Sequence, residues 1–167
     1  MVPLRNNLYV LISSKVYIFS PIHQLHYEAA LRIYSDYKIF GAGPKLFRQL
    51  CKKEKYVLMK GNVILPSCST HPHNTYIQAL SETGLIGFFF LISIFFILSF
   101  RLFKHFINIF IYRNYLLSDY EVCLLIAMLL SLWPLAPSGN FYNNWMSIVY
   151  FLPVGFFLQN LYKLNDK

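Results

Sequence analysis

The stretch TGLIGFFFLISIFFILSF, residues 83–100, decides what kind of fold this chain adopts. It holds 18 residues without a charge, mostly Phe, Ile and Leu, about what a helix needs to cross a ~30 Å hydrocarbon core. Beyond it, Arg101, Lys104, His105 and Arg113 punctuate apolar residues as far as Glu121, an amphipathic, interfacial pattern. From Val122 to Tyr162 there follow 41 residues with no charge, broken in the middle by the turn formers Pro134, Pro137, Ser138, Gly139 and Asn140. Two short spans joined by a tight turn suit that run better than one long helix. The expectation is an all-α integral membrane protein with three transmembrane helices, at about 83–101, 120–135 and 142–162.

Composition agrees. Of 167 residues, 56% are hydrophobic and 19% aromatic, with 16 Phe and 13 Tyr against only 13% charged, which suits a lipid-facing surface with aromatic belts. Trp133, Tyr142 and Trp145 read as belt residues. The net charge of +8 is unevenly spread: ten of the fifteen Lys and Arg precede residue 61, and none lies between Asn62 and Phe100. A basic region joined to a hydrophobic half fits anionic headgroups or phosphorylated lipids, and no nucleic-acid motif is present, so nucleic acid is set aside as a partner. The N-terminus lacks a signal-peptide h-region, because Ser13, Ser14 and Lys15 interrupt the short apolar run Leu8–Ile12; it reads as interfacial or packed against protein.

Short-loop charges set the expected orientation. The 101–120 connection holds three Lys or Arg, while Val63–Glu82 and the turn near Pro137 hold none. The positive-inside rule then divides the chain into residues 1–82, a periplasmic loop region with short helices, and 83–167, a membrane region with a cytoplasmic C-terminus. The expected location is a membrane crossed more than once, which in a Gram-negative cell is the inner membrane with residues 1–82 in the periplasm. Cys51 and Cys68 fall in the external region, where oxidising conditions allow a disulfide, and Cys123 lies inside a span.

The chemistry is concentrated in CSTHPHNTYIQALSETGLIG, residues 68–87. Pro72 disfavours helix at His71, and Asn74 can cap a helix that starts at Thr75, with Ile77 and Leu80 on one face. Gly84 and Gly87 leave a strip of backbone that another helix can approach. His71 and His73 are thereby held at a helix start beside the bilayer, where an imidazole can take a proton near neutral pH. Cys68, His71 and His73 have a spacing that could bind Zn²⁺, but a structural site needs four ligands and no further acid or Cys pair is nearby. His23 and His26 read as surface or packing residues, Glu82 as a membrane-edge helix residue.

This stretch resembles the O-antigen ligase and polymerase superfamily of membrane glycosyltransferases, whose ligases carry His followed by Asn, Ser or Gln, nine residues, then Gly-x-x-Gly. Here these are His73-Asn74, Thr75 to Thr83, and Gly84-Leu85-Ile86-Gly87. The upstream KIFGAGPKLF, residues 38–47, is also similar, so the resemblance spans about residues 20–160. It implies a GT-C-like helical membrane fold and glycan transfer from an undecaprenyl-pyrophosphate carrier to a lipid A-core sugar hydroxyl. His73 would be the general base, and no metal or other cofactor is implied.

Arginines of the family hold the pyrophosphate, and here Arg32, Lys45 and Arg48 are the candidate cations, with Asn74 as a further substrate-binding candidate. The Gly41-x-Gly43 turn offers Lys45 and Arg48 a mechanism, since such a turn can point backbone N–H groups at an anion. A Wzy-type polymerase, extending a growing glycan from the same donor, is the nearest alternative. A second is a non-catalytic membrane fragment, because three spans are few for this family and the chain reads as the C-terminal portion of a larger protein.

Overall fold

The computed structural model describes residues 19–165; the N-terminal segment read above as interfacial falls, up to Ile18, outside them. Helix α1, Pro21–Asp36, starts with Ser20 accepting the His23 N–H at 3.3 Å and with Pro21 in the first turn, where its missing N–H costs nothing. Its buried residues His26, Tyr27, Ala29, Ala30 and Ile33 recur at helical spacing. The apolar ones among them, Ala29, Ala30 and Ile33, pack with Phe47, Leu50, Cys51 and Tyr56 in a small core outside the long apolar helix. Phe47 and Leu50 come from the single-turn helix α2, Phe47–Leu50. The strands β1, Met59–Lys60, and β2, Val63–Ile64, then pair antiparallel in a short hairpin. A disulfide joins Cys51 to Cys68 and so ties α2 to the segment that leads into the histidines. Cys123 is free.

Helix α3, Thr75–Ile107, is 33 residues long and continues as a π-helical turn, Asn108–Tyr112, until Arg113 adopts a left-handed conformation (φ 53°). It therefore runs past residue 101, where the first span was expected to end. Arg101 lies over the Phe157 ring at 4.9 Å, and His105 is buried with Nδ1 accepting the Leu117 N–H. Thr75–Tyr112, 38 residues with an 18-residue stretch of mean hydropathy 2.4, is the one helix among the described residues long and apolar enough to cross a membrane.

Helix α4, Asp119–Ser131, opens on a capping box between Ser118 and Glu121. At 13 residues it rises only about 20 Å, so the expected span at 120–135 is realised as a helix too short to cross alone. Pro134 disfavours helix at Trp133 and stops it there. Helix α5, Asn144–Asn165, follows the turn and packs back on α4 through Phe157 against Leu125 and Met128. The two-helices-and-turn reading of residues 122–162 is what the chain adopts.

One backbone feature joins the two halves. At Gly84, α3 leaves helical geometry (φ 67°, ψ −162°), and the N–H groups of Leu85 and Ile86 lose their carbonyls one turn back. Residues 38–43 replace them. Leu85 N donates to Lys38 O at 2.8 Å and Ile86 N to Ile39 O at 3.4 Å, while Ser81 O and Glu82 O accept from Ala42 N (3.0 Å) and Gly43 N (2.9 Å). The glycine strip thus receives a loop rather than a second helix.

A Cβ on Gly84 would run into Ile39 O and Gly41 N, and one on Gly41 into the Glu82–Thr83 peptide; both glycines also have positive φ. Gly84→Ala and Gly41→Ala should each destabilise the fold by roughly 2–4 kcal/mol from backbone strain and overlap. Because each opens the same junction, the double variant should lose clearly less than the sum. Thermal unfolding in detergent, followed by circular dichroism, measures both.

Candidate functional site

The segment Ser69–Thr75 is stapled to the turn between α4 and α5. His73 O accepts the Ser138 N–H at 3.0 Å, Thr75 Oγ1 donates to Ser138 Oγ at 2.8 Å, and His71 Nε2 lies 3.1 Å from Ser138 O. Asn74 caps α3, its Oδ1 accepting from Tyr76 N and Ile77 N, while its Nδ2 donates to Pro134 O at 2.7 Å. Asn74 is thus a cap and a tie, with one Nδ2 proton left without a partner among the described residues.

His73 has φ 61°, uncommon for a residue with a Cβ, immediately before that cap. Its ring lies among three other imidazoles, with centroids 4.1 Å from His71, 4.9 Å from His23 and 5.2 Å from His26. His23 and His26, three apart on α1, therefore pack against His73, a partner that reading them as surface or packing residues did not supply. The i, i+3 spacing that puts them on one helical face was the available signal. Ser69 Oγ lies 3.2 Å from His73 Nε2; when Nε2 carries the proton and donates it, Nδ1 keeps the basic lone pair.

Burial is the largest influence on these rings and the neighbouring imidazoles add to it, so His26 and His73 are each pushed down from 6.5 to about 4. Burial lowers His71 as well. At neutral pH His26, His71 and His73 are therefore uncharged, and His73 carries a lone pair that can accept a proton. The rings of His23 and His26 stack on that of His73, within 28° of parallel, so their nitrogens do not converge on a common point. No group of three His, Cys, Asp or Glu side chains among the described residues is arranged to hold a metal ion, and Cys68 is bonded to Cys51 rather than available as a thiolate.

Below the histidines the buried face of α3 is polar: Gln78, Ser81 and Glu82 are fully buried, whereas Ile77 and Leu80 are only partly so. Gln78 Nε2 donates to Asn140 Oδ1 and Glu82 Oε2, both at 2.9 Å, and Gln78 Oε1 accepts from Phe141 N at 3.0 Å. Glu82 Oε1 accepts from Phe47 N at 3.0 Å. Glu82 is thus not a membrane-edge residue but an internal anchor, linking the α4–α5 turn to the start of α2. An isolated Glu in a helix start carries no sequence mark of such a partner.

The candidate cations are dispersed. Arg48 is exposed on α2, and Lys45 is half-buried, with φ 63°, in the preceding loop. Arg32 bonds Glu28 Oε1 at 3.1 Å and Val57 O at 3.2 Å on the exposed side of α1. The Gly41-x-Gly43 turn does not cradle an anion: Gly41 N donates to Tyr37 O, and Ala42 N and Gly43 N to the carbonyls of α3. That mechanism is withdrawn, leaving only the side chains of Lys45 and Arg48.

The unfolded chain binds protons on His26 and His73 near pH 6.5, the folded chain only near 4. Stability is therefore fully present above about pH 6.5 and declines as pH falls towards 4. The melting temperature in detergent should drop between pH 7 and pH 4.5, and His26→Gln should flatten the decline. A pH-independent melting temperature over that range would contradict the burial of neutral His26 and His73.

With this geometry in hand, comparison with known families is informative: residues 23–92 match the family model Wzy_C, described as O-Antigen ligase. The matched segment begins at His23 and takes in α1, the glycine loop, the four histidines and the break at Gly84. The resemblance read in the His73–Gly87 spacing is thus borne out over residues 23–92, which are similar to that family. Neither curated proteins nor solved structures gave a match.

Proposed function

We propose that this chain contributes the base-bearing part of an O-antigen ligase-type glycosyltransferase, acting on a glycan carried by undecaprenyl pyrophosphate. The observation that carries the reading is the placement of His73: a neutral imidazole in a left-handed residue, ringed by three others, at the capped start of the long apolar helix. Its segment lies within the family match.

In the proposed step, a lipid A-core sugar hydroxyl attacks the anomeric carbon of the donor glycan. The bond from that carbon to the phosphate oxygen breaks, the hydroxyl proton passes to His73, and the pyrophosphate departs with its charge. A sugar hydroxyl is a poor nucleophile unless its proton leaves as the new bond forms. An imidazole pushed down to about 4 is a weak base, but a pyrophosphate beside it favours the protonated form and raises its affinity for the proton. Lys45 and Arg48 are the cations proposed to meet the leaving pyrophosphate, with Arg32 in a supporting place behind Glu28. The fold is read as a GT-C-like portion in a bacterial inner membrane, with α5 and the α4 hairpin as further membrane-embedded elements.

Within the full-length protein, His73→Ala should lower glycan transfer by about 10²–10⁴ with expression and insertion unchanged. The assay is O-antigen laddering in a ligase-null host, with a polymerase-null host in parallel to separate transfer to lipid A-core from chain extension. Full complementation by His73→Ala in whichever host the parent rescues removes the assignment.

The proposed orientation places residues 1–82 in the periplasm and the segment around Asn108 in the cytoplasm. Single cysteines at Ser69 and Asn108 test it. A membrane-impermeant thiol reagent, applied with the outer membrane permeabilised, should label position 69 and spare position 108; the reverse pattern inverts the topology.

A further inference from the structure

We propose that the loop following α1 is a lipid-inserted wedge, with Ile39 and Phe40 in the acyl region of the leaflet that borders the histidine cluster. The depth of the loop is set by the helix it joins. Lys38 O and Ile39 O bond to Leu85 N and Ile86 N, the third and fourth residues of the 18-residue uncharged run. At 1.5 Å per residue these lie only about 3–5 Å beyond Thr83 along α3. The loop is thereby held level with the first turn of the apolar helix.

Its side chains suit that level. Ile39 is 58% and Phe40 77% exposed, next to Tyr37 at 41% and an exposed Lys38. This apolar surface continues that of α3, where Ile86 is 56% exposed and the most apolar 18-residue window of the helix is only 6% buried. A tip of two adjacent, exposed large apolar residues is costly in water and natural in an acyl layer. Charge agrees as well: Lys38, Lys45 and Arg48 flank the tip, and no Asp or Glu occurs between Asp36 and Glu54, which favours phosphate headgroups.

A non-helical backbone at membrane depth is tolerated only where its polar groups are partnered. Here Gly41 N, Ala42 N, Gly43 N, Lys38 O and Ile39 O all have partners within the chain. These pairings reduce the backbone penalty of approaching lipid, and the N–H groups of Ile39 and Phe40, which have no partner among the described residues, keep the backbone of the tip at the headgroup–acyl boundary. The inference depends on α3 lying in a membrane and is independent of the chemistry assigned to His73.

The test is site-directed spin labelling of the protein in liposomes of phosphatidylethanolamine and phosphatidylglycerol, in a Cys123→Ser background with the Cys51–Cys68 disulfide intact. A nitroxide on Phe40→Cys should collide with oxygen several-fold more than with a water-soluble nickel chelate, as a label on Phe96→Cys does. One on Lys53→Cys should show the opposite preference. If Phe40→Cys fails to retain the disulfide, Ile39→Cys is read in the same way. Preference for the nickel chelate at the tip places it in water, and protection from both reagents places it against protein, whether further chain or a second copy. Either result overturns the proposal.

Discussion

Four backbone hydrogen bonds at Gly84 hold this molecule together. An uninterrupted helix would satisfy Leu85 N and Ile86 N with Ser81 O and Glu82 O; here both pairs are divided and re-formed with Lys38, Ile39, Ala42 and Gly43. An unpartnered buried N–H or C=O costs about 1–3 kcal/mol, so neither the break nor the loop is tenable without the other. Two glycines make the exchange possible, because Gly41 and Gly84 meet backbone to backbone where neither has room for a Cβ. The α1 unit and the apolar helix are joined through this contact, and it carries the loop to the level where the helix becomes apolar.

The position of the histidines depends on that junction and on a second one. His23 and His26 ride on α1, which the loop anchors to α3, whereas His71 and His73 are tied to Ser138 in the α4–α5 turn. Gln78 and Glu82 join the two attachments from inside, one reaching Asn140 and Phe141, the other Phe47. A buried network of this kind is tolerated only when its members are satisfied. Here the side-chain amide of Gln78 and the carboxylate of Glu82 each find their partners. The result is a cluster of four stacked and tilted imidazoles in which the neutral His73 can accept a proton without first expelling one.

The same burial bears on what the candidate residues still offer. Asn74, itself buried, uses both lone pairs of Oδ1 on the helix start and one Nδ2 proton on Pro134 O, which leaves a single N–H. The glycine turn spends its N–H groups on α3 and is unavailable to an anion. In exchange, two α1 histidines come against His73 from nearly fifty residues away. Spacing along a chain marks what a segment offers, but partners from elsewhere decide how much of it is left over.

Much was legible from residues alone because it depends on local physics. The uncharged run of residues 83–100 implies a long apolar helix wherever it is placed, since length and hydropathy suffice. Asn74 as a cap and the turn after Trp133 follow from side-chain geometry within a few residues. The helix lengths were harder: α3 extends past Arg101, whose charge is accommodated over Phe157, and α4 stops at 13 residues, so three regular spans did not follow from hydropathy. Only the tertiary structure decided that His23 and His26 meet His73, that Glu82 faces inward, and that Gly84 receives a loop. These depend on contacts between residues 35 to 50 positions apart, and partners at such separations leave no periodicity in the sequence.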